Sequence, residues 1–210
     1  MAEREELEKQ IKLSGILGSF MLALSFVPHL GIGLVFLILG ILLISAANHY
    51  VDEVFGEFNV FRRTIVGFLV SLFSPVLLFG VHISYMVVHD KTTLLILEKL
   101  FLALSFLGWA WGIFLLERVF TTLGEILNEK LFNYGAILLF IGYLIGFPGY
   151  AADFLMATLP QNVELGFIKD FYQYLEYGKY IGVTLVIIAY VLIGIGYARV
   201  NIPAHKLWEE

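Results

Sequence analysis

The chain has 210 residues; 60% are apolar, 16% aromatic and only 15% charged, and the mean hydropathy is +0.87. An average soluble domain carries about 25% charge and 45–50% apolar residues, so a water-soluble sphere could not cover this much apolar surface. A net charge of −5 excludes a global basic field for nucleic acid, and the absence of cysteine excludes disulfides, thiolate metal sites and a cysteine nucleophile. This leaves an all-α, polytopic membrane helical bundle, read as one integral membrane domain over residues 1–210.

The first ten residues, Met1 to Gln10, mix acids and bases. A signal peptide starts cationic and ends in small residues, so this start reads as a retained cytoplasmic end. From Leu13 to Val51 there is no Asp, Glu, Lys or Arg. One helix of that length would measure about 58 Å, against a hydrocarbon layer of about 30 Å. The break is placed at Pro28-His29, with Gly31 and Gly33 just beyond it, giving spans at about 12–28 and 30–48.

Arg62-Arg63 mark the next membrane edge. The uncharged run Thr64–His89 predicts a third span, about 64–88, and Asp90-Lys91-Thr92-Thr93 predicts a turn. A fourth span follows at about 94–117, a fifth at about 131–152, kinked or ended by Pro148, and a sixth at about 180–198. Six transmembrane helices place both ends on one side. That side carries Arg4, Lys9, Lys12, Arg62, Arg63, Arg118, Lys130, Arg199 and Lys206, against Lys91, Lys99, Lys169 and Lys179 on the other. The bias predicts a multi-pass protein of the cell membrane with both termini cytoplasmic.

The spans fall into three hairpins. Each odd span begins after a basic residue (Lys12, Arg63, Lys130) and has a proline in its outer half (Pro28, Pro75, Pro148). The linkers after spans two and four mix acids with apolar residues. Val51, Val54, Phe55 and Phe58, and likewise Phe120, Leu123 and Leu127, are spaced for one helical face that would lie on the membrane, the default reading, or dock a partner.

Three stretches carry a resemblance: Leu13-Ser14-Gly15-Ile16-Leu17-Gly18, the turn Pro28-His29-Leu30-Gly31, and the run Gly33 to Gly40, together with Val60-Phe61. They resemble an uncharacterised prokaryotic integral membrane protein family, domain of unknown function nine-nine-six, best over about 12–75. The resemblance implies a polytopic membrane protein and brings no catalytic residue or substrate with it.

Small residues mark helix contacts in lipid. Gly108 and Gly112, and Gly142 and Gly146, are GxxxG pairs, read either as a homodimer face or as packing inside the bundle. Positions 167, 168, 171, 174, 175 and 178 of the aromatic outer segment 150–179 share a helical face. That suits a short helix lying in the interface, or a lid over an outward cavity.

Ionisable groups inside a membrane are functional candidates by default. His82 and Glu98 stand eight residues either side of Asp90, so an antiparallel hairpin puts them at similar depth, and His89 follows His82 at i+7. This outer polar cluster reads as a proton-sensitive pair, as an interfacial hydrogen-bonded pair, or in principle as a divalent-metal site. No HExxH, P-loop or GxSxG accompanies it, and Ser71 and Ser74 read as helix back-bonders beside Pro75. No catalytic residue, metal or cofactor is therefore assigned. The expected function is a non-enzymatic accessory or scaffold membrane protein, with membrane lipids and either a second copy or a membrane subunit as partners. The alternatives are a small transporter or channel with His82 and Glu98 at its outer mouth, and a lipid-modifying enzyme hinted at by segment 150–179.

Overall fold

In the computed structural model, residues 2–26, 32–56, 59–158 and 166–202 are described. All regular structure among them is helical. In lipid every backbone N–H and C=O must be satisfied within the segment, so long aliphatic runs become helices. The elements are α1 (Ala2–Ser25), α2 (Gly33–Phe55), α3 (Val60–Phe73), a 3-10 turn (Ser74–Leu77), α4 (Leu78–Val87), α5 (Lys91–Ile126), α6 (Lys130–Thr158) and α7 (Gly166–Ala198). The expected break at Pro28-His29 and Gly31 lies outside the described residues.

Five segments are long and apolar enough to cross a membrane: Gly33–Phe55, Val60–Val87, Lys91–Ile126, Lys130–Ala157 and Phe171–Ala198. The protein is thus a multi-pass membrane bundle. The first expected span corresponds to α1. Its described uncharged part, residues 13–26, measures about 21 Å at 1.5 Å per residue.

The helices pair as three hairpins: α1 with α2, the α3–turn–α4 segment with α5, and α6 with α7. Consecutive hairpins meet through α2 with α3 and α5 with α6, and α1 packs on α7, which closes a ring in chain order. The Ile202 amide donates to Glu8 Oε2 at 3.2 Å. Residues 2–12 and 199–202 therefore share one end of the bundle, called proximal below; the opposite end is distal.

Local chemistry explains the turns. Asp52 Oδ1 and Oδ2 accept from the Val60 and Phe61 amides at 3.1 and 2.8 Å, capping α3 from across the α2–α3 turn. Gly56 in that turn has φ +91°, a left-handed value that costs glycine nothing. Asp90 caps α5, its Oδ2 accepting from the Thr93 amide at 2.8 Å and the Thr93 hydroxyl at 2.6 Å.

Three segments differ from the sequence expectation. Pro148 sits inside α6 without ending it. The linker faces belong to the core: Val51 and Val54 lie in the last turns of α2, and Phe120 and Leu123 in α5, all buried. Helix continuation carries them onto neighbouring helices, where burial is available without lipid. The aromatic segment is likewise no separate interfacial helix: residues 166–179 are the first turns of α7, and Lys179 binds Asp153 of α6. The Phe167 and Ile168 side chains and Phe58 lie outside what is described.

Candidate functional site

The distal polar cluster centres on α4 and the start of α5. The Tyr85 hydroxyl donates to Glu98 Oε2 at 2.9 Å. Glu98 thus takes its proton donor from Tyr85, one turn beyond His82 on α4. His82 Nδ1 is buried with no hydrogen-bond partner among the described residues, and His89 is exposed. No group of three His, Asp or Glu side chains is close enough to hold a metal among those residues. The hairpin register set His82 and Glu98 at similar depth, but a shared level does not set the azimuth. Tyr85 was legible only as an aromatic near the helix end.

A second distal cluster joins α6 to α7. Lys179 Nζ donates to Asp153 Oδ2 at 2.5 Å, and the Tyr172 hydroxyl donates to Asp153 Oδ1 at 2.9 Å. The carboxylate is shared between a cation and a phenol, which suits it to a site at the edge of the apolar layer.

The proximal end holds a buried polar lock. The Tyr197 hydroxyl donates to Asn48 Oδ1 at 2.5 Å, Asn48 Nδ2 donates to Thr64 Oγ1 at 2.7 Å, and Thr64 Oγ1 donates to the Val60 carbonyl at 2.7 Å. All three residues are fully buried, and they tie α7, α2 and α3 together. Gly15 of α1 lets the Tyr197 ring in, because a Cβ there would overlap it. The sequence signal was a lone amide, Asn48, in the uncharged run Leu13–Val51; its partners are 16 and 149 positions away.

The glycine pairs pack within the bundle. A methyl group on Gly112 would stand 2.8 Å from the Gly67 carbonyl oxygen, and one on Gly108 2.5 Å from Ser74 Oγ, so this stripe faces α3 and its 3-10 turn. A methyl on Gly142 would meet the Gly182 carbonyl oxygen at 2.8 Å, and Gly146 also faces Gly182. Ser71 and Ser74 donate to the Phe68 and Val70 carbonyls at 3.0 and 2.6 Å. Ser74 Oγ thereby engages a carbonyl one turn before Pro75, whose ring lacks an N–H.

Between these polar ends lies an apolar hollow of about 380 Å³, walled by Phe26 just beyond α1 and by residues of α2 to α7 that include Leu37, Trp109, Tyr143, Ala151 and Val186, with Pro75 from the 3-10 turn. Trp109 packs on Phe147 at 4.5 Å and edge-on to Tyr143 at 5.6 Å between centroids. The Tyr143 and Tyr190 hydroxyls bond each other at 3.3 Å. A second hollow of about 440 Å³ lies between α2 and α3 and shares Phe68 and Leu72 with the first.

No family model, curated protein or solved structure matches the chain. The functional argument therefore rests on its own geometry.

Proposed function

We propose that the chain is a non-enzymatic multi-pass protein of the cell membrane, an accessory or scaffold subunit with six crossings and both termini in the cytoplasm. The observation that carries this reading is where charge is absent. The described ion pairs Glu8–Lys12, Glu117–Arg118 and Asp153–Lys179 all lie toward the ends of the bundle. Between them the interior is filled by aliphatic and aromatic side chains such as Ile44, Ile113, Leu116, Leu139 and Tyr190. A conducting path needs polar groups to replace an ion's water, and a catalytic centre needs titratable groups within reach of each other. Wide apolar faces, such as Leu34, Val35, Ile38 and Leu42 of α2, point away from the core, where lipid or another membrane helix would meet them.

Native mass spectrometry from gentle detergent tests it. A companion chain, or a second copy, in fixed stoichiometry is expected; a monomer carrying lipid alone overturns the subunit role.

A second reading, a small transporter or channel with an outward proton-sensitive site, draws on the apolar hollow and on the Tyr85–Glu98 pair distal to it. Proton flux in liposomes that exceeds protein-free vesicles and falls with Glu98→Gln would favour it over the scaffold.

A further inference from the structure

The two hollows adjoin, with Phe68 and Leu72 as common wall residues, in a way that suits a chain-shaped ligand. The α2–α3 hollow is lined by Ile41, Ser45, His49, Phe61 and Ile65, and it meets the central hollow at Phe68 and Leu72. From His49 to Leu37 the α2 wall covers twelve positions, about 18 Å at 1.5 Å per residue. One leaflet of a hydrocarbon layer is about 15 Å deep.

Depth follows from the proximal lock. Asn48, Thr64 and Tyr197 share one level and stand within four positions of Asp52, Arg63 and Arg199, so that level is the charged edge. Leu37, Pro75 and Val186 all wall the central hollow, and each stands eleven positions along its helix from its member of the lock. That places the hollow about 16 Å in, half-way through a layer of about 30 Å.

The walls exclude water and admit hydrocarbon. Of the hydroxyl-bearing residues on the central wall, Ser71 is bonded to a backbone carbonyl, Tyr143 to Tyr190, and Tyr150 stands at the opening, 45% exposed. A water needs two to four polar partners, and an apolar cavity of about 150 Å³ stays dry and takes benzene. The hollow opens sideways as well: Leu72, Val76, Phe79 and Tyr150 line it and are 42% to 52% exposed.

The proximal mouth carries the matching charge. His49 is exposed at the edge, its ring 5.2 Å from Phe61. Arg62, exposed beside it on α3, shares a helical face with Ile65 and Leu69, three and seven positions on, both of which line the groove. Arg63 adjoins it. A guanidinium beside an imidazole at the headgroup level, above an apolar groove one leaflet deep, matches a phosphate attached to an acyl chain.

We propose that the α2–α3 seam is a binding site for one phospholipid of the proximal leaflet, its phosphate held by Arg62 and His49 and one acyl chain lying along the groove with its end in the central hollow beside Trp109. The site stands whether or not the bundle has a protein partner.

Trp109 supplies the readout. With Trp111→Phe and Trp208→Phe it is the sole tryptophan, and it is buried, at 7% exposure. Reconstitution into vesicles of phosphatidylglycerol brominated near the chain end should quench it. Ala151→Phe, which fills the hollow, should abolish that quenching, and Arg62→Gln should weaken it. Quenching that Ala151→Phe leaves unchanged means contact with surrounding lipid only and overturns the proposal, as does quenching by aqueous acrylamide but not by brominated lipid. Native mass spectrometry of the unaltered protein gives an answer that needs no variant. One phospholipid retained per chain through delipidation, and lost with Arg62→Gln, supports the site; none retained overturns it.

Discussion

The α6–α7 seam and the α2–α3 seam join neighbouring helices by opposite means. At the first, Gly142, Gly146 and Gly182 bring two backbones together, and a Cβ on Gly182 would overlap the Gly142 carbonyl and stand 2.6 Å from Gly146 Cα. At the second, no glycine faces the neighbour. Gly40 of α2 is turned to Leu22 of α1, and Gly67 of α3 to Leu116 and Gly112 of α5. Ile41, Phe61, Ile65, Phe68 and Leu69 line the space between the two helices, which are tied at the proximal end by Asn48 to Thr64 at 2.7 Å and by the Asp52 cap on α3. Without a hydrophobic drive between helices in lipid, close approach needs small residues. One seam is therefore shut along its length, and the other is pinned at one end and open above it.

The contrast can be broken from either side. Gly182→Leu should do most damage, since the obstacle is backbone and cannot move aside; overpacking of this kind costs about 3 kcal/mol. Thermal unfolding in detergent should show a large drop, and an unchanged midpoint would mean the α6–α7 contact is looser than described. Tyr197→Phe should come next. It keeps the ring on Gly15 but leaves Asn48 Oδ1 buried without its donor, a loss of about 1 kcal/mol, within the range of a hydrogen bond in water or in lipid. Asn48→Leu should cost less than the sum of Tyr197→Phe and Thr64→Val, because the three groups form one network.

Leu69→Phe adds bulk to the open seam instead of the closed one. Leu69 is 47% exposed and lines the α2–α3 hollow, so the change should stay within about 0.5 kcal/mol. A loss as large as that of Gly182→Leu would erase the distinction between the seams.

The smallest effect is expected at the distal turn. The Thr93 hydroxyl and then the Thr93 amide hold the Asp90 carboxyl below its usual value. A depressed value in the folded state means its contribution to the α5 cap is present above the ordinary carboxylate range and is lost as pH falls through the folded value. Amide exchange at Thr93 and Leu94 should therefore quicken on acidification in the wild type, while Asp90→Asn shows no such step.

Much of this architecture was legible before any coordinates. Uncharged runs separated by Arg62-Arg63, by Asp90-Lys91 and by Glu129-Lys130 place the helices, because charge is costly in hydrocarbon whatever the fold. The glycine pairs marked contact faces, though spacing alone could not say whether the partner was another helix of this chain or a second copy. Less was legible of the candidate sites. His82 and Glu98 were matched by depth, yet Tyr85 reaches the carboxylate. Asp153 pairs with Lys179, 26 positions on, a separation that no local spacing encodes. The 166–179 segment has the pattern of an interfacial helix and instead extends α7, since nothing between Gly166 and Ala198 ends the helix.

By itself, then, the sequence determined the solvent, the helical class and the approximate ends of the apolar runs, all consequences of the transfer free energy of single residues. Only the tertiary structure decided which faces meet. The order of helices around the ring, the lock at Asn48 and the groove between α2 and α3 depend on rotation about each helix axis. That rotation is set by packing between residues as far apart as Asn48 and Tyr197, and no local pattern encodes it.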